Sequence, residues 1–301
     1  MTLPPRAVVV YRPTPLDEQL ARHGTKGAAE FFLASRGRSL ADVDSRHQAV
    51  RTALDAVGAT IPPDWRRGMV ARADLDRFLF EPEDIVIVVG QDGLVANVAK
   101  YLDAQPVLGV NPEPGVNPGA LVPLAVNELG GLLPSVAAGR AQLERRTMVL
   151  AATDDGQELI ALNEVYVGHP SHQSARYQII APQNQGERQS SSGVLIGTGT
   201  GSTGWCRSVW QERQSRLQLP SPTDDSLIWF VREAWPSPIT GTTLTEGLLS
   251  PHESLVLVSE GDGLVVFGDG IERDHLTLVW GQQLTVRRST TQLALVQPHG
   301  G

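Results

Sequence analysis

Residues 197–204 are drawn only from glycine, threonine and serine: Gly197-Thr198-Gly199-Thr200-Gly201-Ser202-Thr203-Gly204. The apolar run Val194-Leu195-Ile196 precedes this stretch and a predicted helix follows it. Glycines there let backbone approach a ligand, hydroxyls donate, and a helix N-terminus favours negative charge. This is the chemistry of a phosphate or ribose cradle. A P-loop reading fails because the lysine of G-x-x-x-x-G-K-[ST] is missing. Gly199, Gly201 and Gly204 do satisfy G-x-G-x-x-G. The acidic residues at about the right distance, Asp224 and Asp225, precede the next predicted strand instead of closing it, so that fingerprint is set aside.

A second candidate, Gly90-Gln91-Asp92-Gly93, ends the apolar run Ile85-Val86-Ile87-Val88-Val89. Ligands of open α/β sheets bind at the carboxyl ends of strands. A carboxylate placed there can take a proton or bind magnesium through water. Taken alone, the tetrapeptide reads as an ordinary strand-to-helix turn. Asn163-Glu164 interrupts the strand-like Leu159–Val167 and offers contacts to ribose hydroxyls or a base edge. In isolation it reads as a solvated strand position. His169 and His172 lack a nearby cysteine or carboxylate and read as a polar turn, not a zinc site. Cys206 reads as a packed thiol, and the tryptophans at 205, 210, 229, 235 and 280 read mainly as core.

These loops must be held by two kinds of scaffold. The first part alternates strand and helix: a strand at Ala7–Tyr11, helices at Leu16–Ser35 and Ser39–Val57, and a short helix around Leu75, Phe78 and Leu79. The buried strand Ile85–Val89, a helix at Val95–Leu102 and a strand at Pro106–Val110 follow. That is a βαβ pattern and predicts a parallel sheet with helices on its faces. Pro112, Pro114, Pro118 and Pro123 mark a connecting segment, and a helix is predicted over Ala125–Gln142. Beyond Leu143, short strands alternate with Gly/Asp turns: Thr147–Ala152, Glu158–Val167, Tyr177–Ala181, Arg188–Ile196, Leu227–Val231, Leu255–Ser259, Leu264–Phe267 and His275–Trp280. A turn at Asn184-Gln185-Gly186 and a final pair, Leu284–Arg288 and Leu293–Val296, complete the series. One helix, Trp205–Arg216, interrupts it. This pattern predicts an antiparallel sandwich.

Composition bounds the function. The 301 residues carry 33 acidic and 25 basic side chains, a formal charge of −8, with 41% hydrophobic residues. This excludes disorder as the main state and a nucleic-acid binder with a broad basic face. Backbone amides and bound magnesium can still hold an anionic small ligand. No run approaches the ~20 apolar residues of a membrane span. One cysteine excludes a disulfide framework and a multi-cysteine metal site. Residues Met1–Arg6 show no signal-peptide pattern, and the expected compartment is the cytoplasm.

Taken together, strand-Gly-x-Asp-Gly, then Asn-Glu, then the Thr/Gly/Ser loop resemble the NAD kinase family. Its loops read Gly-Gly-Asp-Gly, Asn-Glu and Thr-x-Thr-Gly-Ser-Thr. Pro106-Val107-Leu108-Gly109-Val110-Asn111, Ala161–Gly168 and Ser191-Ser192-Gly193 are similar to segments of its mitochondrial-type branch. The resemblance implies an α/β N-terminal domain with a Rossmann-like parallel sheet over 1–124. It further implies a β-rich C-terminal sandwich domain over 125–285, and a last strand in 286–301 returning to the first domain, with the site between domains. It implies transfer of the γ-phosphoryl group of ATP to the adenosine-ribose 2′-hydroxyl of NAD, with magnesium, by a homodimer. Asp92 takes the catalytic role. Gly90, Gly93, Asn163, Glu164, Thr198, Thr200, Gly201, Ser202 and Thr203 contact nucleotide, and Arg188, near the Ser191-Ser192-Gly193 turn, is a further phosphate-contact candidate that reads otherwise as a solvated surface arginine. The family's second glycine is Gln91 here and its next threonine is Leu94. A left-handed backbone at Gln91 would cost about 1 kcal/mol or more. Three readings stand on the sequence: an active NAD kinase, a phosphotransferase with another nucleoside or sugar hydroxyl acceptor, and a non-catalytic dinucleotide binder.

Overall fold

The computed structural model describes residues 4–115, 119–182 and 186–298. Pro118, the Asn184-Gln185 part of the expected turn, and the first three residues of the N-terminal segment lie outside the described residues. The chain divides into two compact units, Met1–Glu144 with Ala294–Gly301, and Arg145–Leu293. The sequence places these divisions at 124/125 and 285/286.

Unit one runs β1 (Arg6–Tyr11), α1 (Pro15–His23), α2 (Lys26–Ala34), α3 (Leu40–Thr60), β2 (Arg66–Ala71), β3 (Asp84–Val89), α4 (Asp92–Ala99), β4 (Pro106–Val110) and α5 (Leu129–Ala137). Its sheet is parallel throughout, in the order β2-β1-β3-β4, and Ala294 and Leu295 pair parallel with Pro106 and Val107 at its edge. Every residue of β3 is buried, as expected of a strand covered on both faces. Arg6 grips the buried Asp84 with two hydrogen bonds of 2.6 Å, tying β1 to β3 at their starts. Ala53, Leu54 and Val57 of α3 share one core with Leu129, Leu132, Leu133 and Val136 of α5 and with the strands.

Several elements differ from expectation. Leu16–Ser35 is two helices: Gly24 adopts φ +73° and ends α1, and the Thr25 side chain accepts from Ala28 N to start α2. The helix over Ala125–Gln142 is shorter, with one 3-10 turn at Val126–Glu128 before α5 and a left-handed Gly139 after it. The expected helix around Leu75 is a 3-10 turn, Arg72–Arg77. The edge strand β2, Arg-Arg-Gly-Met-Val-Ala, has no apolar run to announce it.

Unit two carries the rest, apart from the first two residues of β5 and the last three of β16: β5 (Leu143–Thr153), β6 (Glu158–Ala161), β7 (Glu164–Gly168), β8 (Ala175–Ile180), β9 (Glu187–Ser191), β10 (Gly193–Gly197), α6 (Trp205–Arg213), β11 (Leu227–Arg232), β12 (Glu246–Leu249), β13 (Ser254–Ser259), β14 (Leu264–Gly268), β15 (His275–Leu278) and β16 (Gln283–Val296). One antiparallel sheet has the order β12-β11-β10-β7-β14-β15. In the other, β13 pairs with β16 and β8, β8 with β9, and β5 with β16 and β6. Val165, Val167 and Ile196 from the first sheet share one buried core with Tyr177, Ile179 and Leu257 from the second, the packing of a β-sandwich.

Here too there are corrections. Glu158–Val167 is two strands parted at Leu162-Asn163, and Arg188–Ile196 is two strands parted at Ser192. The helix after the Gly/Thr/Ser loop ends at Arg213, where Gln214 turns left-handed. The final pair of strands is one strand, β16. Trp229 is core, but Trp235 and Trp280 are 70% and 66% exposed. No helix among the described residues is long and apolar enough to cross a membrane.

Candidate active site

In unit one, β3 ends at Val89 and α4 begins at Asp92, three residues before the predicted start. Gly90 continues the strand edge, its amide donating to Val110 O at 3.0 Å. Gln91 is the N-cap residue, with φ −108° and ψ 167°. This is ordinary extended backbone, so glutamine carries no strain where the family has glycine. Both carboxylate oxygens of Asp92 are engaged: Oδ2 accepts from Ala120 N at 2.9 Å and Oδ1 from Leu121 N at 2.8 Å. Asp92 therefore pins the end of the proline-rich connector. Gly109 is required by the same packing, since a Cβ there would lie 1.9 Å from Leu121 O. Gly93 faces open space, with nothing within 4 Å of a built Cβ. Leu94 is buried, its side chain 3.1 Å from where a Cβ on Gly90 would stand. It covers the strand end with hydrocarbon where the family has a hydroxyl.

In unit two, the Gly197–Gly204 loop follows β10 and enters α6 through a 3-10 turn at Gly201–Thr203. Most of its hydroxyls are spent on its own fold. Thr198 is fully buried and donates to Leu162 O at 2.5 Å, while its oxygen accepts from Thr200 N and Gly201 N at 3.1 and 3.3 Å. Ser202 donates to Thr198 O, and Thr203 to Thr200 O. Thr200 is the exception. It is 5% exposed and its hydroxyl has no partner among the described residues. A buried unpaired hydroxyl is costly, so a ligand atom is its natural complement.

The loop's glycines serve packing more than open approach. A Cβ on Gly199 would lie 1.7 Å from Ser221 O, one on Gly201 2.1 Å from Asn163 O, and one on Gly197 2.3 Å from the buried Cys206 Sγ. The expectation that these glycines bare the backbone is corrected at these three positions. Beside the loop, the Tyr166 ring stacks on Trp205 with centroids 5.4 Å apart.

Asn163 and Glu164 stand at the break between β6 and β7. Glu164 is largely buried, and burial, with the Asp269 charge as the lesser cause, pushes its carboxyl up to about 8. It holds a proton at neutral pH and can donate as well as accept. Asp269 was not singled out by the sequence. Its carboxylate accepts from Leu162 N at 2.8 Å and Asn163 N at 2.7 Å. The only sequence signal was an Asp-Gly turn. Arg188, on β9, is half exposed and paired with Glu260 at 2.6 Å. It lines a separate groove with Trp235 and Trp280, and its expected phosphate role gains no supporting contact. His169 Nδ1 bonds the Ser171 amide and hydroxyl, as a polar turn would have it. No group of three or more His, Cys, Asp or Glu among the described residues could by itself hold a metal ion.

A parallel α/β unit whose strand end carries an aspartate is thus joined in one chain to a β-sandwich with a hydroxyl-rich loop, a two-domain α/β and β-sandwich fold. The solved NAD kinase from Archaeoglobus fulgidus in complex with ATP has TM-score 0.56 at 16% identity, covering 98% of this chain and 94% of that one. Yeast NADH kinase complexed with NADH has TM-score 0.59 at 16% identity, covering 98% and 84%. In sequence, the chain is 26% identical over 226 residues to the NAD kinase of Clostridium tetani, 72% of this chain and 76% of that protein. It is 27% identical over 228 residues to that of Shewanella halifaxensis, 72% and 68%. No family model matches. The chain thus has the two-domain fold of NAD kinases and is related to them in sequence.

Proposed function

We infer that this chain is an NAD kinase, a phosphotransferase that moves the γ-phosphoryl group of ATP to the 2′-hydroxyl of the adenosine ribose of NAD and gives NADP. The observation that carries this is its similarity to NAD kinases across some 72% of its length, on a chain that has their fold. The site geometry agrees. Extended backbone at Gln91 removes the strain that would have argued for a damaged strand end.

In this mechanism Asp92 orients the ribose 2′-hydroxyl and accepts its proton as the oxygen attacks the γ-phosphorus. The bond from that phosphorus to the β,γ-bridging oxygen breaks, and ADP leaves. The two backbone amides on its oxygens hold the Asp92 carboxylate in one orientation, and each oxygen retains a lone pair for the hydroxyl. General-base help of this kind is worth ~10²–10⁴-fold. Gly90 and Gly93 admit phosphates to the α4 N-terminus, where amides and the helix dipole favour anions. Asn163 and Glu164 hold dinucleotide hydroxyls or the adenine edge, and Thr200 supplies the loop's uncommitted hydroxyl. Thr198, Gly201, Ser202 and Thr203 shape that loop.

When bound, magnesium would supply charge neutralisation for the phosphoryl group in transfer. The residues present fit such an ion: Mg²⁺ in phosphoryl transfer is held by substrate phosphates, water and one or two carboxylates, and Asp92 is the carboxylate at the strand end. The resemblance of Pro106–Asn111 and Ala161–Gly168 supports the mitochondrial-type branch. The family resemblance also supports a homodimer, and the single cysteine fits a cytoplasmic enzyme.

Purified protein with ATP, magnesium and NAD should form NADP and ADP in equal amounts. NAD binding without product would leave a dinucleotide binder, and neither binding nor product would point to another acceptor.

A further inference from the structure

Leu162 and Asn163 form the whole link between β6 and β7. Such a link normally exposes its backbone to water. Here its four backbone polar groups go to two residues from distant segments. Leu162 N and Asn163 N donate to the two carboxylate oxygens of Asp269, at 2.8 and 2.7 Å. Leu162 O accepts from Thr198 Oγ1 at 2.5 Å, and Asn163 O from Thr198 N at 2.9 Å. Asp269 N then donates to Glu164 O at 3.2 Å, closing the ring of bonds. Contact is close enough that Gly201 has no room for a Cβ against Asn163 O.

This arrangement is expensive. Asp269 is 9% exposed and sits at φ +52°, a left-handed backbone that aspartate tolerates better than most residues. Its charge lies beside a second, largely buried carboxyl, Glu164. A turn needing only to connect two strands would not require a buried anion. What the clamp achieves is to consume the backbone and fix where the Asn163 and Glu164 side chains emerge. The Thr198 hydroxyl that grips Leu162 also organises Thr200 and Gly201, so both candidate binding segments share one fastening.

We propose that Asp269, together with Thr198, is a positioning residue for dinucleotide binding, holding Asn163 and Glu164 in register with the Thr200 loop. This rests on the NAD kinase reading and names residues that act through the binding groups without touching the ligand. A misplaced binding group costs up to about 10²-fold, so NAD binding and the KM for NAD should suffer more than kcat. Among the titratable groups of the described residues, Asp269 and the Cys206 thiol, which burial holds neutral, interact with Glu164. Removing the Asp269 charge lets Glu164 ionise at lower pH.

The test is NAD affinity by calorimetry across pH 6–9, without ATP, beside steady-state kinetics, for wild type and Asp269→Asn. The expected result is about 10-fold or more weaker NAD binding in the folded variant, kcat within about 3-fold, and the alkaline change in affinity moved to lower pH. A folded Asp269→Asn with unchanged affinity and pH profile overturns the proposal. If that variant does not fold, Thr198→Val and Thr198→Ser decide: binding lost in the first and restored in the second supports the clamp, and equal affinity in both overturns it. Wild-type protein that neither binds NAD nor makes NADP overturns the kinase reading itself, a separate result.

Discussion

The two glycine-bearing candidate segments, one in each unit, look alike in sequence and behave oppositely in structure. Around Asp92, Gly93 has empty space beside it, and the aspartate is tied down by backbone amides from Ala120 and Leu121. In the Gly197–Gly204 loop, Gly199 and Gly201 are wedged against Ser221 and Asn163, and three of the four hydroxyls bond the backbone nearby. The first segment uses glycine for access. The second uses it for closeness, so that a dense polar loop leaves one uncommitted hydroxyl, Thr200. A glycine-rich motif therefore does not announce which of its residues meet the ligand.

That contrast breaks first on the glycines. Gly199→Ala forces a methyl into a carbonyl oxygen and should destabilise the protein by about 3 kcal/mol, read as a lowered urea midpoint. Gly93→Ala, in the first turn of α4, should leave stability unchanged or raise it by up to ~1 kcal/mol. Any fall in turnover there then reports crowding of phosphates. Equal destabilisation by both would erase the distinction.

The hydroxyls sharpen it. Thr198→Val strands the buried Thr200 and Gly201 amides and the Leu162 carbonyl, at about 2–4 kcal/mol. Thr200→Val removes a hydroxyl without a partner and should cost nothing in thermal stability, while nucleotide binding falls about 5-fold. Binding isotherms and melting curves for the pair give opposite rankings if the assignment is right.

A pH-dependent effect concerns Glu164. Its carboxyl is raised from 4.5 to about 8 in the folded protein. The folded state binds the proton more tightly than the unfolded, so this contribution is full below about pH 4.5 and is lost as pH rises to about 8. Glu164→Gln, which cannot ionise, should show a thermal advantage over wild type that grows across this window and levels off above it. A difference independent of pH would contradict the burial argument.

Much of this was legible in the residues. The β-branched run Ile85–Val89 could only be a strand buried on both faces, and the Asn163 interruption of an apolar strand is the break between β6 and β7. Helix ends were less legible where a single glycine decides them, as at Gly24 and Gly139. Strand β2 was missed because an edge strand bearing two arginines has no apolar period. Trp235 and Trp280 were misread because residue type alone does not tell core from surface. Asp269 was invisible for a different reason: its partners lie more than a hundred positions away, and local spacing says nothing about contacts made by folding.

The most direct test of the account compares wild type with Asp92→Asn for NADP formation and NAD binding in one preparation, with melting curves to verify that both fold. The account predicts NADP from the wild type, a loss of about 10² or more in turnover in the variant, and NAD affinity retained. Turnover by Asp92→Asn at the wild-type rate would contradict it.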